Sequence, residues 1–352
     1  MLTSRAEDIL KLIVTRYIDQ ATPVPSQVIA DDPVMGGISS ATIRNEMALL
    51  EQQGYVTRPH TSAGSVPSDK GYRAYVESLK DMRLALTEQR LISHLFHQVE
   101  KETEQWLGLT ATLLARLVRN IAIVTMPKTP DCKFKHVEVV SLQETTALIV
   151  LVIHGAKVKQ RLITFDEALH QPSLTAISNK LNEAFPSLNR HQIKNKITEI
   201  QMSPPEQQIA DYLIEMMQAE DEQEYEEPYL DGMHFMLNQP EFAHSERMQE
   251  LMELVEQKSL LKAIIPDEIA RHSIHVIIGK ENKAEAIQGY SVVISQYGLP
   301  HEAVGTIGVV GPTRMPYSQT IPTVDYLSMI LSGLVAGLYG KEITIKRDTG
   351  NQ

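Results

Sequence analysis

Three residues in one short stretch have the chemistry to read base edges. Thr42, Arg44 and Asn45 lie in SSATIRNEMALLEQQG, residues 39–54. An arginine fork matches O6 and N7 of guanine, an asparagine amide matches N6 and N7 of adenine, and Thr or Ala methyls meet that of thymine. Ile43, Met47 and Leu50 recur at i, i+4 and i+7, with Leu49 widening the stripe. This spacing predicts a helix that buries one face and turns Thr42, Arg44, Asn45 and Ala48 outward. Ser39 or Ser40 caps it, Gly54 ends it, and the serine hydroxyls with the first helical amides suit phosphate.

The elements that must hold this helix are readable on both sides. Ser4-Arg5-Ala6-Glu7 reads as a capping box, followed by Ile9, Leu10, Ile13, Val14, Tyr17 and Ile18 on one helical face until Ala21-Thr22-Pro23-Val24-Pro25 breaks the pattern. Ser26 to Ala30 is a short second helix with Ser26 as its cap and Val28 and Ile29 packing inward. Tyr55–Arg58 and Ser65–Pro67 read as two strands around Thr61-Ser62-Ala63-Gly64, a hairpin wing, and Ser68 caps a fourth helix. The order of helix, short helix, capped helix and wing is that of a winged helix-turn-helix, although such a unit also serves protein contacts. Expected on a DNA face are Ser26 and Gln27 of the second helix, Ser39, Ser40, Thr42, Arg44 and Asn45 of the third, Arg58, His60, Ser62 and Ser65 of the wing, and Lys70 and Arg73 of the fourth.

Charge runs the other way. The 352 residues carry a net charge of −11; residues 1–80 hold eight Lys+Arg against nine Asp+Glu, so the acidity lies in the remainder. A nucleic-acid binder normally shows a basic footprint. Here it reduces to Arg58, Lys70 and Arg73 against Asp69 between Gly54 and Arg73. Binding by so neutral a module leans on few cations and on dimerisation, and is salt-sensitive.

Nothing in the sequence assembles a catalytic constellation. Cys132 is the single cysteine, which excludes an internal disulfide and a multi-thiolate metal site. His272 and His275 have no carboxylates at ligand spacing, and the glycines of Gly305–Gly311 match neither phosphate-loop pattern and read as a turn. Arg314 is expected to tie that turn to a neighbouring helix by a bidentate contact. No secretory leader opens the chain and no apolar run approaches the ~20 residues of a membrane span, so the expected location is the cytoplasm.

Beyond residue 80 the pattern predicts one long amphipathic helix over Glu88–Arg119, either packed on the next domain or forming a dimer seam. Three β-rich runs, Phe134–Leu142, Thr145–Ile153 and Lys157–Phe165, read as a meander. Helices follow at Ser173–Phe185, Pro205–Ala219 and His244–Gln257, with an acidic run at Glu220–Glu227 read as solvated. Strands resume at Ser273–Gly279, Tyr290–Gln296 and Ala303–Val310, and Thr323 caps a last helix with Val324, Leu327, Leu331, Leu334 and Leu338 on one face. A sheet interrupted by helical residues and then completed is the signature of an inserted domain.

SSATIRNEMALLEQQGYV with its short wing, VPSDKGYRAYV and, far downstream, VGTIGVVGPTRMPY resemble the bacterial heat-inducible transcription repressors of the HrcA family, from Leu2 to about Gly337. The resemblance implies an α+β multidomain protein: a winged-helix domain over 1–80, a GAF-like antiparallel-sheet domain over 81–167 and 263–340, a mainly helical dimerising domain inserted at 168–262, and a tail over 341–352. It implies a homodimer that binds double-stranded DNA at an inverted-repeat operator before chaperone genes, with a GroE-type chaperonin keeping it active; the residues themselves offer no site for enzyme activity, cofactor or metal. A GAF-like domain leaves open a second reading, a regulator gated by a small molecule. Two departures matter: the family usually shows Gly-Ser-Arg where this chain has Pro25-Ser26-Gln27, and Arg where it has Ser65. Both remove a cation from the expected DNA face, so operator binding is expected to be weaker per subunit or aimed at a variant operator.

Overall fold

The computed structural model describes residues 2–60, 63–79, 82–99, 103–128, 132–154, 157–222, 228–242, 252–253, 264, 273–299 and 302–341. The chain divides into two compact units, one of residues 1–126, 227–297 and 306–330, the other of 127–226, 298–305 and 331–352.

The first unit opens with α1 (Ser4–Gln20), α2 (Ser26–Ala30) and α3 (Ser40–Gln52), a hairpin of β1 (Val56–Thr57) and β2 (Val66–Pro67), and α4 (Asp69–Ser78). Its core is the apolar face of α1 (Ile9, Leu10, Ile13, Val14) closed by Ile29, Met35, Ile43, Met47, Leu50, Val56 and Tyr72, all buried. Each such aliphatic contributes about 1.5–3 kcal/mol by leaving water, which is what holds so small a bundle together. The caps differ in detail from those expected. Thr3, not Ser4, accepts from the Ala6 amide at the start of α1, and Pro25 precedes α2, leaving Ser26 inside it. Val28 and Leu49 are exposed rather than packed, because each lies off the line of buried residues on its helix.

The same unit continues through α5 (Leu86–Gln98) and α6 (Thr103–Val118), two helices where one was expected. Val99 leaves α5 in an extended conformation, so the leucine periodicity changes phase there. A five-stranded sheet follows in the order β7-β3-β10-β9-β8, from β3 (Ile121–Val124), β7 (Tyr229–Asp231), β8 (His275–Ile278), β9 (Tyr290–Leu299) and β10 (Ala303–Pro312). β3 pairs antiparallel with both β10 and β7, and β8 antiparallel with β9. The glycines of β10 lie in the strand and not in a turn; a Cβ at Gly311 would collide with the Asn120 side chain beneath it. Arg314 behaves as expected, gripping Glu241 through both carboxylate oxygens.

The last helix, α10 (Tyr317–Leu338), is long and apolar enough by length and composition to cross a membrane, against the sequence expectation. Half of its apolar stretch is buried within the protein, including Val324, Leu327 and Leu331, which makes it a core helix. It begins six residues before the expected cap, and Thr323 lies inside it, its hydroxyl donating to the Gln319 carbonyl at 2.7 Å. Internal Pro, Ser, Thr and Gly broke up the apolar run in the sequence.

The second unit holds a three-stranded antiparallel meander, β4 (Phe134–Ser141), β5 (Thr146–Ile153) and β6 (Val158–Thr164), and the helices α7 (Gln171–Ala184), α8 (Arg190–Glu199) and α9 (Pro204–Glu222). One sheet face (Val137, Val139, Ile149, Leu151, Ile163) packs with Leu174, Leu181, Phe185, Ile193 and Leu213 of the helices into one core. Polar groups of α7 at positions 171, 178 and 182, one helical stripe, satisfy the free edge of β4: Asn182 bonds both the amide and the carbonyl of Val137, Ser178 the amide of Val139, and Gln171 the amide of Ser141. The meander therefore packs with the helices, within the unit that includes residues 127–226. The physical reason is that the buried face of the meander is turned to α7–α9. The expected helix at His244–Gln257 lies largely outside the described residues. Nor does the acidic run begin in solvent: Glu220 is buried between Lys157 at 2.9 Å and Lys159 at 2.5 Å, and Asp221 lies 3.1 Å from Arg190.

Candidate nucleic-acid interface

Ser39 closes the start of α3. Its Oγ accepts from the Thr42 amide at 3.2 Å and lies 2.9 Å from the Thr42 hydroxyl, so cap and first turn form one hydrogen-bonded unit. Ile43, Met47 and Leu50 anchor the helix from behind. Arg44, Asn45 and Ala48 are exposed on the other side and Thr42 is half-buried. Neither Arg44 nor Asn45 has a hydrogen-bond or ion-pair partner among the described residues, so both side chains are available. Ser40 sits at the first helical position beside the cap, where the amide groups carry partial positive charge.

The flanking cations are more committed than the sequence suggested. Arg58 lies 3.2 Å from Glu51, and Lys70 donates to the Gln53 carbonyl at 2.9 Å while resting over the Tyr55 ring. Both face the α3–hairpin junction and keep exposed surface. Gln27 is exposed and bonded to Asp31 at 2.8 Å, Ser26 is half-buried, and His60 is exposed at the hairpin bend, where its carbonyl accepts from Ala63. Ser62 lies outside the described residues.

Two expected contacts are turned away from this face. Ser65 is fully buried, because its amide and carbonyl both pair with Val24 at 2.9 Å and bind the wing to the linker between α1 and α2. The serine there is a packing residue, so its exchange for the usual arginine is no simple loss of a DNA cation. Arg73 is engaged by Glu281 and by the Val276 carbonyl at 2.6 Å, and the Glu281 carboxylate raises the guanidinium's affinity for its proton further. One cation escaped sequence reasoning: Arg5 of α1 is exposed 3.9 Å from Glu46 of α3, beside the outward face. Only folding brings these two positions together, and no local pattern announces it.

The chain is similar to known proteins along nearly its whole length. Residues 104–321 match the family model described as HrcA protein C terminal domain. A heat-inducible transcription repressor HrcA of Dehalococcoides mccartyi is 53% identical over 341 residues, 97% of this chain and 98% of that protein. The protein of that name from Herpetosiphon aurantiacus is 38% identical over 346 residues, 97% of each. A crystal structure described as that of a hypothetical protein has 25% identity and a TM-score of 0.62, covering 96% of this chain and all of the other. With such identity across both units, the chain belongs to the HrcA family of heat-inducible transcription repressors.

Proposed function

We propose that the protein is a dimeric, sequence-specific repressor of chaperone operons that binds an inverted-repeat operator with α3 in the major groove and the hairpin beside it. The observation that carries this is the unencumbered pair Arg44 and Asn45 on a helix whose opposite face is fully buried. Arg44 and Asn45 read bases; Thr42 and Ala48 add methyl contacts. Ser26, Gln27, Ser39, Ser40, Arg58, His60 and Lys70 lie against phosphate and sugar, where contacts fix register without reading sequence.

Dimerisation rests on the second unit. The outer face of its meander carries Val140, Leu148 and Leu162 in one cross-strand row and Val152 and Val158 in another. Val140, Val158 and Leu162 are exposed at 38, 52 and 62%. A row of aliphatics facing water favours a second apolar surface, and a second copy supplies the second reading helix that an inverted repeat needs. Heat that loosens this association releases one half-site and with it the DNA, and a GroE-type chaperonin restores the competent form. The GAF-like assignment of the five-stranded sheet and action in the cytoplasm belong to the same reading.

Leu162→Asp together with Val140→Asp tests it. The expected result is a monomer in sedimentation that binds an intact repeat no better than a half-site. A variant that stays dimeric and keeps its preference for the repeat would contradict the assignment.

A further inference from the structure

The residues displaced from the DNA face form a joint. α4 lies with its first turns against the bend that follows β8. Asp69, the first residue of α4, accepts the Lys280 amide at 3.0 Å. One helical turn later Arg73 donates to Glu281 at 2.9 Å and to the Val276 carbonyl at 2.6 Å. The receiving bend is shaped for this. Gly279 has φ +53°, and a Cβ there would lie only 2.4–2.5 Å from the Asp69 carboxylate atoms. Glu281 accepts the Ile278 amide at 2.8 Å, so the carboxylate that grips Arg73 is itself fixed. Asn282, buried behind, donates to the carbonyls of Gly279, Ile287 and Tyr290.

A second attachment reaches a different helix of the module. Arg314, held by Glu241, donates to the Ile18 carbonyl near the end of α1 at 3.2 Å. The buried rings of Tyr72 and Tyr317 meet with centroids 6.0 Å apart. A rigid body held at two helices keeps its orientation as well as its position. The polar part of the joint is directional: a bidentate guanidinium and a backbone amide aimed at a carboxylate tolerate little rotation.

We propose that Asp69 and Arg73 are positioning residues which, through the 279–281 bend, set the angle at which α3 is presented and so the half-site spacing that the repressor accepts. This rests on the reading of a dimer on an inverted repeat. Neither residue touches DNA in this account. In a dimer an error in the angle of each reading head is doubled between the two half-sites, so a local ion pair becomes a specificity determinant for spacing.

Glu281→Ala tests it, since Glu281 lies on the sheet side of the joint and has no part in the reading surface. Full-length protein is first used to select a duplex from random-sequence DNA. Binding is then measured on that duplex, on versions with the two halves moved apart or together by one to five base pairs, and on a single half. Wild type is expected to show a sharp optimum, and Glu281→Ala a flat profile with about tenfold weaker binding at the wild-type optimum and unchanged binding to the half. The charge-exchanged double variant, Arg73→Glu with Glu281→Arg, is expected to recover the optimum. Spin labels at Gln52 and Gln288 give the angle without DNA: one narrow distance distribution in wild type and a broad one in Glu281→Ala.

An unchanged spacing profile in Glu281→Ala, or loss of half-site and repeat binding in equal proportion, overturns the proposal. Failure of wild type to prefer a repeat over a half overturns the dimeric reading and the spacing role with it. The label distances still report whether the joint fixes the module.

Discussion

Gly279→Ala probes the joint by its geometry alone. At φ +53° an alanine costs about 1–2 kcal/mol. Its methyl also displaces the Asp69 carboxylate and breaks the bond to the Lys280 amide, worth about 1–2 kcal/mol for a half-exposed charged acceptor. The expected loss is about 2–4 kcal/mol. Asp69→Ala alone forfeits the same bond and the favourable charge at the start of α4, about 1–2 kcal/mol. Because each change destroys the same contact, the double variant is expected to be less stable than Gly279→Ala only by the lost charge at the start of α4, a coupling of about 1 kcal/mol. Trp106, the only tryptophan, is buried in the same compact unit, so urea unfolding followed by its fluorescence reports this unit. Strict additivity of the two changes, or a Gly279→Ala protein as stable as wild type, would show that residue 279 and Asp69 do not share this contact.

Arg44→Ala is expected to weaken operator binding by roughly 1–3 kcal/mol per reading helix and to relax preference at one base position, as competition with base-substituted duplexes reads out. Lys70→Ala should weaken all duplexes alike and reduce the salt slope. Burial of Glu220 alone would raise its carboxyl, but hydrogen bonds from Lys159 and Lys157 outweigh this and hold it below the ordinary carboxylate range. Such a group binds fewer protons folded than unfolded, so it stabilises above its unfolded pKa, and the contribution is lost as pH falls through the folded value. Glu220→Gln should accordingly flatten the acid limb of stability against pH; an unaltered limb would remove Glu220 as its source. Burial, reinforced by the Asp221 carboxylate, pushes the Cys132 thiol far up, so a disulfide reagent at pH 8 is expected to label it only as the second unit opens. Labelling of the native protein at the rate of the unfolded chain would contradict that burial.

The reading helix was open to sequence reasoning because its signals are local. Ser39 as cap, the Ile43-Met47-Leu50 stripe and the outward Arg44 and Asn45 follow from periodicity within thirteen residues. The meander strands and α9 were placed for the same reason, by alternation and helical spacing. Contacts between distant segments were not available. Nothing near Arg73 announces Glu281, 208 residues away, so a cation beside the wing looked like a DNA contact. Ser65 misled likewise, since its partner Val24 lies across the module. The short strands β3 and β7 offer too few residues for a period, so the full extent of the five-stranded sheet was not readable. The acid at Glu220 looked solvated because its lysines come from β6 and the residue that precedes it.

The most direct test of the account is a salt-titrated binding isotherm of the full-length protein on an intact inverted repeat, a single half and a scrambled duplex. Tight binding to the repeat alone is predicted, with log affinity falling against log salt at a slope of about −4.5 to −5.5, the release expected for roughly five to six phosphates shared by two modules. Equal and weak binding to all three duplexes would contradict it, because the outward face of α3 would then be reading nothing.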